Sequence, residues 1–249
     1  AFRRKMHRYP EISTREIETT KDIIRALSPC RAIELFPLLP ETGTAALIRS
    51  SDSDKMILIR ADIDALPMQE QTGLPFSSET EGACHSCGHD IHTAAAVLLA
   101  RTLAELPQPL PASVLIVFQP EEETALGAKK VLQRGLYNRF PEITEVVGLH
   151  TEPNLEAGRV GLIKGPADAS FDTIRIAVCG RGGHGAHPYL CEDTVVCAGY
   201  MLTQLQTVIS RENPAVQPAV LTFGTIHGGS AANVIPSRVE MTGTLRTFH

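Results

Sequence analysis

The chain has 249 residues, of which 43% are hydrophobic, and its formal net charge is −5. A chain of this length can bury a large core and form one large domain or two modest ones. The mild negative charge, the absence of tryptophan and the low aromatic content argue against surfaces that bind nucleic acid or an anionic membrane. No apolar run approaches the roughly 18 residues that a membrane span needs.

The N-terminal segment and the cysteines bear on the cellular compartment. Residues 1–8 are basic, but no apolar stretch follows them, so the segment does not resemble a secretory signal. The six cysteines are irregularly spaced, as expected for free thiols in a reducing compartment. We therefore predict a cytoplasmic protein with neither nucleic acid nor membrane among its partners.

The first predicted helix occupies residues 14–27. Ser13 and Glu16 have the spacing of a capping box, in which the serine caps the helix and the glutamate reaches back to the backbone N–H of the serine. Isoleucine and leucine residues at helical spacing then form one apolar face, starting at Ile17. The sequence therefore predicts that Ser13 and Glu16 serve the helix end.

The first acidic pair follows a buried strand. Strands are predicted at residues 44–49 and 56–61, separated by a polar turn. The second is a nearly continuous apolar run, as expected of a strand that is covered on both faces. It leads into Asp62 and Asp64, which the two-residue period of a strand places on one side, just beyond the carboxyl end. Both aspartates could also be simple turn residues.

Residue types that bind metal ions are concentrated in one short segment. Its nine positions, 84–92, hold Cys84, His85, Cys87, His89, Asp90 and His92. A helix is predicted at residues 91–106, and thiolate and imidazole groups at a helix start bind zinc-like ions in a rigid geometry. The spacing of Cys84 and Cys87 also fits a redox pair or half of a structural zinc site, and both alternatives remain open.

Two further predicted strands end in groups of the same kind. Residues 112–118 run into three glutamates at 121–123, and after a helix at residues 125–133 the strand at residues 145–149 runs into His150. In open α/β sheets the carboxyl ends of the strands form the binding site. Taken singly, the glutamates could mark a solvated helix start, and the histidine could be an ordinary strand-end residue. Taken together with the aspartates and the Cys-His segment, they predict a metal centre.

The character of the chain changes near residue 168. The predicted elements beyond it are three strands and one helix, at residues 170–178, 219–226, 238–247 and 194–210. A single helix against antiparallel strands indicates a small α+β domain. We therefore predict a metal-binding domain at residues 1–167 and a second domain at residues 168–249.

Seven segments stand out by their residue types and their order along the chain: residues 60–67, 85–94, 118–123, 148–150, 180–188, 233–236 and 243–248. Together they resemble the dinuclear-metal aminoacylase and carboxypeptidase family, in the amidohydrolase branch that includes hippurate hydrolases and auxin-conjugate hydrolases. The match covers essentially all of the chain and is specific for the family rather than for a substrate. The resemblance implies an α/β fold with a mostly parallel sheet flanked by helices, into which an α+β lid and dimerisation domain is inserted.

The resemblance also implies roles in the predicted metal centre. Four residues match the ligands of two divalent metal ions: Cys87, His89, Glu123 and His150. Glu122 matches the general base that takes a proton from water, and Asp64 matches the aspartate that orients a ligand. Zinc and manganese are the expected metals, with cobalt and nickel as further candidates. Asp62 stands where other branches have a histidine, so its role stays open.

In the second domain, three residues match positions that contact the substrate in the family. His184 resembles the lid histidine that reaches into the partner subunit's site and stabilises an oxyanion. Arg246 resembles the arginine that binds a substrate carboxylate, assisted by Asn233. Without the resemblance, His184 could be a turn histidine and Arg246 could be half of a cross-strand ion pair. The resemblance thus implies a homodimer formed through the lid.

The implied activity is hydrolysis of the amide bond of N-acyl amino acids or small dipeptides. The chain stops at His249, before the family's final segment and its last metal-ligand histidine, so we expect both domains to be incomplete and do not assign His249 as a ligand. This departure leaves a metal-binding but inactive fragment as one alternative. A thiol-redox protein that uses Cys84 and Cys87, and a structural zinc module, are the others.

Overall fold

The computed structural model describes residues 1–107 and 109–248, so His249 lies outside the described residues. The chain divides into two compact units, Ala1–Glu156 and Ala157–His249. Within the described ranges, no helix combines the length and the apolar character that a membrane span requires.

The first unit contains a sheet of five strands, with two helices before the first strand and three helices between later strands. The helices are α1 (Phe2–Arg8), α2 (Ile17–Leu27), α3 (His89–Glu105), α4 (Gly127–Gln133) and α5 (Leu136–Arg139). The strands are β1 (Glu34–Pro37), β2 (Thr44–Ile48), β3 (Met56–Asp62), β4 (Ser113–Gln119) and β5 (Ile143–Gly148). The strand order is β1-β2-β4-β3-β5.

The sheet is mixed. β4, β3 and β5 pair parallel, whereas β1 pairs antiparallel with β2, and β2 pairs antiparallel with β4. The predicted α/β fold, a sheet flanked by helices, is confirmed, with the parallel pairing confined to β4-β3-β5. Because parallel strands end at one edge, the segments that follow β3, β4 and β5 come together there.

Both faces of the sheet are covered. Leu115 of β4 lies in a cluster with Phe140, on the side of α4 and α5, whereas its neighbour Ile116 packs with Ile23 of α2 and Val97 of α3. Each such side chain contributes about 1.5–3 kcal/mol when it is fully buried. Because both faces of the sheet are buried, the sequences of β3 and β4 are nearly continuous runs of apolar residues.

The second unit is α+β in its described residues. Its strands are β6 (Asp172–Cys179), β7 (Gly183–His184), β8 (Ala219–Gly228), β9 (Val234–Ile235) and β10 (Arg238–Thr247), and its helix is α6 (Thr194–Gln204). β6, β10 and β8 form an antiparallel sheet in that order, and β7 pairs with β9. α6 packs on the larger sheet, where Ala198 joins Val178 and Met241 in a small core.

The start of α2 differs from its prediction. The helix begins at Ile17, and Glu16, the residue before it, makes no side-chain cap hydrogen bond, so the predicted capping box is wrong. The carboxylate of Glu11 accepts the backbone N–H groups of Glu18 and Thr19 instead. The backbone N–H of Ala65 donates to the carbonyl of Glu11, which holds the preceding segment beside the end of β3 instead of in a helical turn. The side chains of Ser13 and Glu16 therefore point into the first unit, where they bind Asp64 and the backbone of Glu121.

Other element boundaries shift for local reasons. α3 begins at His89, two residues before the predicted start of 91, because Gly88 forms a left-handed turn with φ of 83°. α6 ends at Gln204, and a separate π-helical turn, Val208–Glu212, occupies the end of the predicted helix. α1 and β1 are short elements that the sequence patterns did not predict.

Candidate metal centre

The polar segments predicted from the sequence meet where β3, β4 and β5 end. Asp62 ends β3, residues 121–123 follow β4, and His150 follows β5. His89, the first residue of α3, lies beside all three segments. This edge is the place at which parallel strands in an α/β sheet form a site.

A glycine turn brings Cys87 and His89 to this edge. Gly88 has a positive φ, which a glycine adopts without the steric penalty of a side chain. A Cβ atom on Gly88 would lie 2.4 Å from the hydroxyl of Thr151. That hydroxyl donates to the carbonyl of Cys87 at 3.1 Å. The turn therefore packs directly against the segment that follows β5, and only glycine fits at its centre.

His89 is the central side chain of the cluster and is completely buried. Its Nδ1–H donates to the backbone carbonyl of Asp64 at 2.9 Å, so its Nε2 atom faces the carboxylates. Nε2 has no hydrogen-bond partner among the described residues. It lies 3.6 Å from Asp62, 3.8 Å from Glu123 and 4.0 Å from Glu122.

The electrostatic surroundings of His89 favour a positive charge. Burial lowers the pKa of the imidazole, but the hydrogen bond to Asp64 and the charges of Asp62 and Glu123 outweigh burial and raise the pKa. Carboxylates that hold a proton on Nε2 attract a metal cation to the same atom for the same reason.

Cys87 and His150 form the other side of the cluster. The Sγ atom of Cys87 lies 3.4 Å from Nε2 of His150. The Nδ1–H of His150 donates to the carbonyl of Thr151 at 2.8 Å, which leaves Nε2 to face the thiol. Burial, followed by the charges of Glu123 and Glu122, raises the pKa of the Cys87 thiol to about 12. A bound cation reverses this effect, because a coordinating thiol is deprotonated.

The three consecutive glutamates have different surroundings. Glu121 is buried and forms an ion pair with Lys130. Glu122 is partly exposed, with one oxygen 3.9 Å from the guanidinium of Arg60. Glu123 has one buried oxygen that lacks a hydrogen-bond partner within the described chain. The arrangement leaves one glutamate beside the cluster and accessible, and aims the next into it.

Asp64 connects two of the predicted ligands. Its Oδ2 atom accepts a hydrogen bond from the backbone N–H of Glu123 at 3.0 Å. Its backbone carbonyl accepts from His89, and its Oδ1 atom lies 3.3 Å from the same imidazole. Burial raises the pKa of Asp64, but the hydrogen bonds from His89, Glu123 and Ser13 outweigh burial and lower it. Asp64 is thus an ionised residue that orients its neighbours.

Asp62 belongs to a chain of hydrogen bonds behind the cluster. The backbone N–H of Thr151 donates to Nε2 of His92 at 2.9 Å, so the proton of His92 is on Nδ1, which donates to Asp62 at 2.5 Å. Asp62 also pairs with Arg60 at 2.8 Å. Because both nitrogens of His92 are engaged, this histidine fixes the segment after β5 and is not free to bind an ion.

The donor atoms fit a divalent metal centre. Three sets of ligand atoms lie within 4.8 Å of one another: Cys87-His89-His150, Asp62-His89-His92 and His89-Glu122-Glu123. In the second set, both nitrogens of His92 are already engaged in hydrogen bonds, so the first and third sets carry the argument. His89 belongs to every set, and its free Nε2 atom and the free oxygen of Glu123 are buried. Buried polar atoms without partners are costly unless an ion or water satisfies them. Thiolate, imidazole and carboxylate donors together suit zinc, and also manganese, cobalt or nickel.

The sequence predicts a helix-capping role for two residues that in the structure contact the cluster from behind. Ser13 donates to Oδ2 of Asp64 at 2.7 Å, and Glu16 accepts from the backbone N–H of Glu121 at 2.8 Å. Their spacing matches a capping box, and that local pattern does not reveal a contact with residues more than fifty positions away.

His92 lies within the segment of metal-binding residue types predicted from the sequence, but its position three residues after His89 does not distinguish a ligand from a supporting residue.

The raised pKa of Glu16 leads us to expect a measurable pH dependence of the free energy of unfolding. Burial, opposed by the backbone N–H of Glu121 and reinforced by the charge of Asp64, raises the pKa of Glu16 from 4.5 to about 7. The native state keeps a proton that the unfolded chain releases above pH 4.5, so this contribution is complete at low pH and is lost as the pH rises through about 7. The loss amounts to about 3 kcal/mol.

Urea unfolding of the metal-free protein between about pH 5 and about pH 8 tests this expectation. We expect the free energy of unfolding of the native sequence to fall more steeply with pH than that of Glu16→Gln, which cannot titrate. Equal slopes for the two proteins would show that Glu16 does not titrate in this range.

In the second unit, His184 and Asn233 lie next to each other. Gly185, which follows His184, donates its backbone N–H to the carbonyl of Asn233 at 2.8 Å. The backbone N–H of Ala186 donates to Nδ1 of His184 at 3.1 Å, so the imidazole proton is on Nε2. The side chain is exposed, and Nε2–H is its hydrogen-bond donor.

Arg246 lies towards the other end of β10. β10 begins at Arg238, three residues after the end of β9. Arg246 is eight residues further along the strand, which corresponds to about 25 Å from Arg238. Its guanidinium lies 5.0 Å from the ring of Phe171. The residue opposite it on β8 is Val220, so the direct cross-strand neighbour is not an acid. The structure therefore brings His184 and Asn233 together but places Arg246 apart from them.

Known proteins resemble the chain over nearly its whole length. The sequence pattern described as peptidase family M20/M25/M40 matches residues 58–244. N-acetylcysteine deacetylase of Bacillus subtilis (strain 168) is 43% identical over 249 residues, which cover 99% of this chain and 64% of that protein. N-acetyldiaminopimelate deacetylase of the same organism is 38% identical over 251 residues, covering 100% of this chain and 66% of that protein.

A solved structure agrees with these relatives. The YXEP protein of Bacillus subtilis, described as a dinuclear metal binding peptidase from M20 family, has a TM-score of 0.81 and 39% identity, covering 100% of this chain and 63% of that one. The chain spans between 58% and 64% of the length of the first curated relatives that it matches. The predicted family resemblance is confirmed: the chain belongs to peptidase family M20/M25/M40.

Proposed function

We propose that the protein is a metal-dependent amidohydrolase that cleaves N-acyl amino acids or small dipeptides with a free α-carboxylate. The observation that carries the proposal is the cluster of unsatisfied donor atoms around Nε2 of His89, next to the accessible carboxylate of Glu122. The names of the relatives, deacetylases of N-acetylcysteine and N-acetyldiaminopimelate, support N-acetyl amino acids as the substrate class.

The predicted ligands divide the work with Glu122. Cys87, His89, Glu123 and His150 would hold the metal through sulfur, nitrogen and oxygen atoms, which converge in two overlapping sets around His89. Two divalent ions, when bound, supply a water of lowered pKa and polarise the scissile carbonyl. Glu122 takes the proton of the attacking water and delivers it to the leaving nitrogen.

The second unit supplies substrate recognition in this proposal. The Nε2–H of His184 is a donor suited to the negative charge that develops on the carbonyl oxygen. The guanidinium of Arg246 binds the substrate α-carboxylate with two parallel hydrogen bonds, and Asn233 assists. Arg246 lies about 25 Å along β10 from Arg238, and this separation from the start of the strand supports a homodimer in which His184 and Arg246 of one lid serve different sites.

Arg246→Ala is expected to raise KM for an N-acetyl amino acid by about 10–100-fold, because hydrogen bonds to charged groups contribute about 1.5–3 kcal/mol. Steady-state kinetics with the acid and with its carboxamide provide the measurement. The carboxamide lacks the carboxylate, so its KM should change little. If both substrates lose the same factor, Arg246 does not bind the carboxylate.

The proposal is tested by hydrolysis assays on purified protein. The protein is stripped with a chelator, then supplied with zinc, manganese, cobalt or nickel, and release of the free amino acid is followed for several N-acetyl amino acids and for hippurate. We expect no turnover in the stripped protein and recovery with at least one metal. A gel-filtration measurement of the molecular mass tests the expected homodimer, and the cytoplasmic location stays a prediction.

The alternatives give different results in the same assays. Metal binding without turnover of any substrate supports an inactive metal-binding protein. A single tightly bound ion without turnover supports a structural zinc module. A reversible disulfide between Cys84 and Cys87, with activity that is insensitive to chelators, supports a thiol-redox protein.

A further inference from the structure

The segment that precedes α2 contacts the candidate metal centre from behind. It runs beside the end of β3, where Ile12 bridges to Ala65 and the carbonyl of Glu11 accepts the N–H of Ala65. Thr14 has φ of 75°, a backbone conformation that a residue with a side chain seldom adopts. This turn lets Ser13 and Glu16 both face the site instead of capping the helix.

Ser13 acts on the aspartate that connects two ligands. Its hydroxyl donates to Oδ2 of Asp64 at 2.7 Å. The same oxygen accepts the backbone N–H of Glu123 at 3.0 Å, and the aspartate backbone carbonyl accepts Nδ1–H of His89 at 2.9 Å. Ser13 therefore fixes the orientation of the carboxylate on which the positions of Glu123 and His89 depend.

Glu16 acts on the backbone that carries the glutamates. It is completely buried, and its Oε1 atom accepts the backbone N–H of Glu121 at 2.8 Å. Glu121 has φ of 58°, the left-handed region in which a non-glycine residue is strained unless its surroundings hold it there. The ion pair with Lys130 and the hydroxyl of Thr124, which donates to the carbonyl of Glu121, hold the same residue from other sides.

The second carboxylate oxygen of Glu16 distinguishes it from a residue that only stabilises the fold. Oε2 is buried and lacks a hydrogen-bond partner in the described part of the chain. A buried carboxyl group with one free oxygen costs more than an apolar side chain of the same size would. The hydrogen bond from the backbone N–H of Glu121, in the loop of Glu122 and Glu123, is the contact that offsets this cost.

We propose that Ser13 and Glu16 are positioning residues that hold Asp64 and the Glu121–Glu123 loop in the geometry required for metal binding and for the action of Glu122. The inference rests on the proposed function, because it assigns a purpose to the same site. It goes beyond the ligands by making the segment before α2 part of the metal centre, through contacts that begin more than fifty residues away in sequence.

The test measures metal affinity separately from turnover. Chelator-treated protein is titrated with Mn²⁺ in a calorimeter, and binding of Co²⁺ is followed by its visible absorption, at a temperature well below thermal unfolding. The variants are Ser13→Ala, Glu16→Leu and Glu16→Gln. Glu18→Leu is the matched control, because Glu18 lies two residues further along, is exposed and pairs with Lys21 on the surface.

We expect Ser13→Ala and Glu16→Leu each to weaken Mn²⁺ binding by about 10–100-fold and to change the Co²⁺ spectrum, as loss of a residue that orients metal ligands does. Glu16→Gln keeps an acceptor for the N–H of Glu121 and should stay within about threefold of the native affinity. Glu18→Leu should bind as the native protein does. If Glu16→Leu does not fold, the metal affinity and Co²⁺ spectrum of Ser13→Ala still test the proposal.

Native affinity and an unchanged Co²⁺ spectrum in Ser13→Ala and Glu16→Leu would overturn the proposal, even if both melt at lower temperature, since that pattern belongs to residues that only stabilise the fold. The proposed function fails differently. If the native protein itself binds no metal, both proposals fail. If it binds metal without hydrolysing any substrate, the error lies in the assigned activity rather than in the roles of Ser13 and Glu16.

Discussion

Glu122→Gln is expected to lower kcat for hydrolysis of an N-acyl amino acid by about 10²–10⁴-fold, the range for loss of a general acid–base group. Glutamine keeps the size of the side chain and its hydrogen-bonding capacity but does not take a proton from water. Glu122 is partly exposed beside the cluster, so metal content and thermal stability should stay close to native. Steady-state kinetics, metal analysis and a thermal melt on the same preparation provide the measurement.

The neighbouring glutamate is the matched control. Glu123→Gln replaces the carboxylate whose buried oxygen lies 3.8 Å from Nε2 of His89. We expect this variant to lose metal as well as activity, and to recover part of the activity when metal is added in excess. If Glu122→Gln loses metal and Glu123→Gln keeps it, the roles of base and ligand are exchanged. Full activity in Glu122→Gln would remove it from the mechanism.

His89→Gln is expected to have the largest effect on metal binding. His89 belongs to every set of converging ligand atoms in the described residues, whereas the other predicted ligands each belong to one. Loss of an outer residue that orients a ligand costs about 10–100-fold in affinity, so we expect loss of this ligand to cost at least about 100-fold. Titration of the stripped protein with Mn²⁺ and Zn²⁺ measures the change.

His184→Gln is the control for this variant. His184 belongs to the second unit and is proposed to contact substrate, so its replacement should leave metal affinity unchanged while lowering kcat. Because His89 is completely buried, a thermal melt of the metal-free variant must show that it remains folded. A folded His89→Gln protein with native metal affinity would contradict the assignment of the central ligand.

The parts of the site that could be predicted from the sequence are those whose chemistry is uncommon. Cysteine and histidine crowded before a helix, and acids or histidine directly after apolar strands, point to one edge of a sheet whatever the exact element boundaries are. The parallel pairing of β3 with β4 and β5 places Asp64, Glu123 and His150 together, as this reasoning requires.

The supporting residues could not be predicted, because their local patterns have a simpler explanation. Ser13 and Glu16 fit a capping box, and only the tertiary pairing of Glu11 with Ala65 turns them towards the site. Similarly, the hydrogen bonds that occupy both nitrogens of His92 come from Asp62 and from the segment after β5. Contacts between residues that are distant in sequence determine such roles, and the spacing of residues along the chain does not reveal those contacts.

The antiparallel half of the sheet and the short elements illustrate a similar limit. β1 has four residues and one buried side chain, Phe36, so it has too little alternation to be recognised. α1 has seven residues and is held by contacts of Arg3 and His7 with Asp90, at the start of α3. Both elements depend on partners elsewhere in the first unit more than on their own sequences.

The most direct measurement of the central claim is anomalous X-ray diffraction from crystals of the protein supplied with zinc or manganese. We predict anomalous peaks about 2.0–2.3 Å from Sγ of Cys87, Nε2 of His89 and a carboxylate oxygen of Glu123, the usual distances for such ligands. Peaks that lie away from these three residues, or metal-supplied crystals that give no peak at this edge of the sheet, would contradict the account.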